Sequence, residues 1–218
     1  MPAADSATSS ALDFFPREMD LGPLRAAASG CRGCDLWERA TQTVFGEGAA
    51  AAKLFLVGEQ PGDVEDETGR PFVGPAGTLL DGCLKAAGID RNAAYLTNTV
   101  KHFKWESRGQ RRIHSKPNAR EIRACKPWVE AEISIVRPVA VVCLGATAAQ
   151  ALLGREFRVL AHRGEFVESR LAPLVMATVH PSSILRAPDE ATRHNAIERL
   201  TIELRRLNEA VQRLGGQA

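Results

Sequence analysis

The sequence predicts an α/β fold: a three-layer αβα sandwich around a central, mostly parallel sheet of about four strands. Four short apolar runs are bounded by glycine, proline or polar residues, as buried strands are. Segments of helical periodicity alternate with them, and that alternation gives parallel strands with helices on both faces. The 218 residues, 44% hydrophobic and 25% charged, suffice for one full core.

Met1–Ser10 is small and polar, and residues 1–18 are expected to form a disordered tail ahead of a single domain over 19–218. The start lacks a basic stretch followed by an apolar run, so it does not read as a secretory signal, and a cytoplasmic location is expected. No apolar run approaches the length of a membrane span, so no membrane partner is expected. Pro23–Ala28 reads as a short helix leading into the Cys31-Arg-Gly-Cys34 turn. Lys53–Gly58 is a buried strand ended by glycine. The Glu59-Gln-Pro-Gly62 stretch after it is a loop, because Pro and Gly interrupt both periodic structures. Thr78–Ala87 has a helical pattern that stops at Gly88. Ala94–Val100 is the second strand, and Gly109–Pro117 is polar, basic and irregular. Ala119–Val136 is a helix with Ile122, Cys125, Trp128, Val129, Ile133 and Val136 mostly on one side, ended by Pro138. Val139–Leu144 is the third strand, followed by a short helix from Gly145 to Gly154. Gly164–Glu168 is expected at a sheet edge, and Leu174–Val179 is the last core strand. The closing helix carries Ile197, Leu200, Leu204, Leu207, Val211 and Leu214 in steps of three and four.

The net charge of +2 makes no whole-chain argument for nucleic acid. Its distribution says more. Lys101, Lys104, Arg108, Arg111, Arg112 and Lys116 are opposed only by Glu106, a cluster able to neutralise several phosphates, or equally a solvated loop. Five cysteines make a poor disulfide framework for a cytosolic chain. Cys31-x-x-Cys34 has metal-ligand spacing, and Cys83 and Cys143 read as packed thiols.

In such folds ligands bind beyond the carboxyl ends of the strands. Three unusual loops fall there: 58–62, 98–114 and 180–186. Gly58 and Gly62 allow close backbone approach, and Glu59 stands where a carboxylate can orient water, activate a base or stabilise positive charge. Phe72, between Gly and Pro residues, offers a stacking face for a base or a core aromatic under a loop. The Asn98 amide can match a pyrimidine edge with both donor and acceptor, or bond a turn. His180 can donate to charge developing on a leaving group. Ser182 and Ser183 can cap the following helix, whose N-terminus favours phosphate.

Four segments taken together carry a resemblance: Gly58-Glu-Gln-Pro-Gly62, Gly69-Arg-Pro-Phe-Val-Gly74, Thr97-Asn-Thr-Val-Lys101 and His180-Pro-Ser-Ser-Ile-Leu-Arg186. In this order they resemble the motifs of iron–sulfur uracil-DNA glycosylases, a DNA-repair family, from about Cys31 to Arg186. Gln60 and the loop Gln110-Arg-Arg-Ile-His114 resemble the UdgX type, which becomes covalently attached to uracil-containing DNA. The resemblance implies a substrate of single-stranded DNA or duplex with a flipped uracil, and a monomeric enzyme. It implies that Phe72 stacks on uracil, Asn98 reads its edge and His180 supports the departing anion. Glu59 would assist the attacking group, and His114 would be the nucleophile that captures C1′ of the deoxyribose. Gly58, Gln60, Ser182 and Arg186 would complete the substrate pocket. Arg111, Arg112 and Lys116 would hold the DNA backbone. The family's [4Fe–4S] ligands map onto Cys31, Cys34 and Cys125, with His102 in the fourth place. A three-cysteine site and a zinc site of Cys₃His type stay open. So do a conventional hydrolase with turnover and a non-catalytic module that binds uracil-DNA.

Overall fold

The computed structural model describes residues 9–215, and residues 1–8 of the expected tail lie outside the described residues. The central sheet has five strands in the order β1 (Glu47–Gly48), β3 (Ala94–Asn98), β2 (Leu54–Gly58), β6 (Ala140–Leu144) and β7 (Leu174–Thr178). The four longer strands are parallel, and β1 adds a two-residue antiparallel edge on β3. The fold class is therefore as expected, with one edge strand more than the apolar runs announce. Glu47-Gly48 is too short and polar to carry a periodic signal. A separate hairpin pairs β4 (Trp105–Arg108) with β5 (Arg111–His114).

Seven helices of the described residues surround the sheet: α1 (Leu21–Ala28), α2 (Asp63–Thr68), α3 (Pro75–Ala86), α4 (Ala119–Val136), α5 (Ala146–Leu153), α6 (Pro181–Leu185) and α7 (Glu190–Gly215). Strand alternation divides the core. Leu54, Leu56, Leu96, Val142 and Met176 face Leu80 and Leu84 of α3 and Leu200, Leu204 and Leu207 of α7. Phe55, Val57, Tyr95, Val141 and Val175 face Val129 and Ile133 of α4 and Ala148 and Ala149 of α5. Strands buried on both faces read as continuous apolar runs, which is why the four were visible in the sequence. Among the described residues, no helix is long and apolar enough to cross a membrane.

The described part of the tail expected over 1–18, from Ser9, packs on the domain. Ser10 caps a turn of 3₁₀ helix, Ala11–Phe14, and Asp13 bonds back to the Ser10 N–H at 2.9 Å. Ala11 is fully buried, and the Phe15 ring lies 4.8 Å from that of Trp128 on α4. Gly164–Glu168 forms a single bridge, Phe166 to Met176, rather than a full strand.

β2 is the point of reversal. The chain leaves it for β3 on one side and later returns to β6 on the other. At such a switch the loops after neighbouring strands diverge and leave a crevice. Glu59 and Thr147 open from the two strands that flank it.

Candidate active site

Glu59 follows β2 directly and is half-buried. Its Oε2 accepts from Thr147 Oγ1, just past the Gly145 turn after β6, and its Oε1 lies 3.2 Å from His114 Nε2. Burial opposes charge on Glu59, but these two hydrogen bonds and the neighbouring His114 and His180 outweigh it, so the carboxyl is held below its usual range. Glu59 is therefore ionised at neutral pH. An ionised carboxylate only accepts, so His114 presents its Nε2–H to it.

His180 ends the β7 segment and caps α6. Its Nδ1 accepts the Ser182 N–H at 3.1 Å, and Ser182 Oγ lies 2.8 Å away. Burial lowers its pKa to about 4, so the ring is neutral with its proton on Nε2, the free face. Ser182 therefore orients His180. The sequence-based reading placed it against substrate.

Phe72 and Asn98 converge over Gly58. A side chain at Gly58 would collide with Asn98 Oδ1 and the Phe72 ring, so only glycine lets both pack directly on the end of β2. Asn98 is 3% exposed. The Asn98 carbonyl accepts from Lys101 Nζ at 2.9 Å, and Lys101 is held by the fully buried Glu132 at 2.5 Å. Phe72 lies 6.1 Å from the His180 ring, inclined by 28°. Its backbone is left-handed, φ 55°, a conformation that costs a non-glycine residue about 1–2 kcal/mol. Glu65 holds it there: Oε1 accepts from the Val73 and Gly74 N–H groups at 3.1 and 2.8 Å, and Oε2 from Gly62 at 3.1 Å. Gly77 gives the Phe72 carbonyl room that any Cβ would fill.

Of the segment 109–117 expected to be irregular, 115–117 is so, but 109–114 forms the turn and second strand of the β4–β5 hairpin, which carries His114. Its turn is Gly109-Gln110, with Gly109 at φ 63°. Gln60 staples the hairpin's base: its Nε2 donates to the Lys104 and Ser115 carbonyls at 3.1 and 3.2 Å, and its Oε1 accepts the Lys104 N–H at 3.2 Å. Gln60 is buried, and its amide is occupied by backbone rather than open to a substrate. Arg112 turns inward to Asp63 (2.5 Å), Asp66 (2.6 Å) and Glu67 (3.3 Å). It is therefore a buttress of the hairpin, where a phosphate contact was expected. Lys101 and Lys104 are likewise paired, with Glu132 and Glu121. Arg108, Arg111 and Lys116 remain exposed. Arg186 is exposed at the C-cap of α6, near enough to His180 for its charge to help lower the His180 pKa.

The sulfurs of Cys31, Cys34 and Cys125 belong to one cluster between α1, α4 and the Ala11–Phe14 turn. N–H groups point at two of them: Trp128 Nε1 to Cys31 at 3.3 Å, Gly33 N to Cys31 at 3.5 Å, and Lys101 N to Cys125 at 3.2 Å. Burial raises Cys34, and raises Cys125 to about 12, so a cationic partner is needed to hold them as thiolates. His102 is buried, and burial lowers its pKa to about 4. The Thr43 hydroxyl gives its single proton to the Ala28 carbonyl, so it accepts from His102 Nε2 at 2.9 Å. That leaves the Nδ1 lone pair free, the form in which imidazole ligates. This donor set suits a metal–sulfur group. The four donors are not drawn into one tight shell: among the described residues no three His, Cys, Asp or Glu side chains converge as they would on a single ion. Cys83 and Cys143 are buried free thiols, as the sequence suggests.

Residues 45–205 match the family described as the Uracil DNA glycosylase superfamily. This chain belongs to that superfamily. Within it, the chain is 36% identical to the Type-4 uracil-DNA glycosylase of Pyrobaculum aerophilum over 177 residues, 78% of this chain and 87% of the relative. It is also 36% identical to the Type-4 uracil-DNA glycosylase of Thermotoga maritima over 191 residues, 87% and 93% of the two chains. The Type-4 uracil-DNA glycosylase of Sulfurisphaera tokodaii is 33% identical over 179 residues, 78% and 77%. The superfamily match spans Glu59, Phe72, Asn98, His114 and His180 together. Sequence reasoning missed Thr147, Glu65, Asp66 and Trp105. Only Thr147 left a signal, standing just after a strand–glycine turn at the sheet's carboxyl end.

Proposed function

We propose that this chain excises uracil from DNA and keeps the abasic sugar bound covalently to His114. The observation that carries the reading is the 3.2 Å contact between His114 Nε2 and Glu59 Oε1, beside Phe72, Asn98 and His180 at the strand ends. Extruded uracil stacks on Phe72, and the Asn98 amide bonds its polar edge. The C1′–N1 bond breaks with its electron pair leaving on uracil. His180 donates from Nε2 to the uracil oxygen that gains charge. The sugar becomes oxocarbenium-like and is stabilised by the Glu59 carboxylate. Glu59 takes the Nε2 proton of His114, and the freed lone pair bonds to C1′. The proton passes on to solvent, and uracil regains one there. Arg108, Arg111 and Lys116, exposed on the hairpin and just after it, would contact the DNA backbone.

Cys31, Cys34, Cys125 and His102 are the residues assigned to a [4Fe–4S] cluster. What supports the assignment is the donor set itself: three cysteines and one buried neutral imidazole, with N–H groups directed at the Cys31 and Cys125 sulfurs. The cluster would supply structure, pinning the N-terminal segment to α4. Iron and sulfide content of the purified protein tests that assignment.

A second reading has the Type-4 names of the relatives behind it: Glu59 activates water and the enzyme turns over. Denaturing electrophoresis separates the two. Capture predicts a protein–DNA band that survives boiling with uracil DNA, is absent with thymine DNA, and is lost in His114→Ala. Multiple turnovers without that band support hydrolysis.

A further inference from the structure

We propose that residues 39–42 form a strap that sets the position of the hairpin, and that Trp105 is the positioning residue through which the strap places His114. The proposal deepens the capture reading and rests on it. Trp105 stands directly opposite His114 in the hairpin register. Its Nε1 donates to the Arg39 carbonyl at 2.9 Å, and the Arg39 guanidinium covers its ring at 4.4 Å. Arg112, on the same inner face, lies 5.7 Å from that ring and donates to Thr41 Oγ1 at 3.1 Å. Behind the strap, the Thr41 N–H bonds both Asp66 oxygens at 3.0 and 3.1 Å, and Gln42 Nε2 reaches the Asp66 and Glu67 carbonyls at 3.1 and 2.9 Å.

A two-stranded hairpin does not hold its shape alone in water. Gln60 fixes its base, and the strap fixes its inner face through Trp105. Bond cleavage draws on Glu59, Phe72, Asn98 and His180, none of them in strap or hairpin; Glu59 loses one donor when His114 shifts but keeps its hydrogen bond from Thr147 and the nearby His180. Capture alone needs His114 in place when the sugar cation forms, before water adds its oxygen to C1′ and gives up a proton to leave a free abasic site. Trp105 therefore governs how the cation divides between imidazole and water.

The test is a single-turnover reaction on a uracil oligonucleotide, measuring total uracil released and the fraction of sugar found in protein adduct. Trp105→Phe keeps a ring and loses the N–H; Trp105→Ala loses both. The expected result is uracil release within about twofold of the parent, while the ratio of free abasic DNA to adduct rises about tenfold in Trp105→Ala and less in Trp105→Phe. An unchanged ratio in both variants overturns the proposal. So does a parallel fall in release and adduct in the milder Trp105→Phe, which marks a merely structural role. Absence of adduct in the parent protein instead overturns the capture reading itself.

Discussion

Glu59 and His180 are tuned by what surrounds them rather than by chain position. Burial works against a charged Glu59, and donors from His114 and Thr147 reverse the balance. Replacing Glu59 by Gln keeps the shape and removes the charge. Glycosidic cleavage is then expected to slow by about a hundredfold or more in single-turnover assays, and a near-parental rate would remove Glu59 from the mechanism. His180 has its folded pKa lowered from 6.5 to about 4. Between those values the unfolded ring takes a proton that the folded ring refuses, so its contribution makes stability fall as pH falls through that window. His180→Asn is expected to flatten this dependence, read from denaturant unfolding at about pH 7 and about pH 5. Equal slopes in the two proteins would mean His180 titrates normally. At this scale the sequence shows which residue types sit at the strand ends. It does not show that Ser182 serves His180 or that Gln60 serves the hairpin, because both depend on partners brought in by the fold.

Among the elements, the parallel strands and α4 were legible because their burial is two-sided or one-faced and leaves a regular apolar pattern. The hairpin was not. Its inner face buries Arg112 against Asp63 and Asp66 and sets Trp105 on a backbone carbonyl, so polar partners replace the apolar alternation that announces a strand. Gly109-Gln110 was its one turn signal. The 3₁₀ turn at Ala11–Phe14 was hidden likewise, a capped apolar turn inside a stretch of small polar residues. The Phe72 loop was legible as glycine-rich but not as left-handed. Gly77→Ala is expected to push the Phe72 carbonyl aside, costing about 1–3 kcal/mol and most of the uracil excision, with the sheet intact by circular dichroism. Parental activity in that variant would show that the Phe72 position is not required.

Across the whole molecule, a net charge of +2 conceals a division of labour. Lys101, Lys104 and Arg112 hold the site together through ion pairs, while Arg108, Arg111 and Lys116 face solvent. Affinity for DNA is expected to fall steeply with salt. Arg111→Ala and Lys116→Ala are each expected to reduce the slope of log affinity against log salt by about one. Arg112→Ala is not expected to act in that way, since its charge is already neutralised by Asp63, Asp66 and Glu67. A slope that responds only to Arg112 would invert the assignment. The sheet order places Glu59, Asn98, Thr147 and His180 at neighbouring strand ends, and the hairpin reaches over them to add His114. The central claim is that this imidazole takes the sugar. Intact mass spectrometry after incubation with a uracil oligonucleotide, followed by peptide mapping, tests it most directly. The account predicts a protein heavier by the oligonucleotide less one uracil, with the modification on the peptide containing His114. Unmodified protein beside released uracil, or an adduct mapped to another residue, would contradict it.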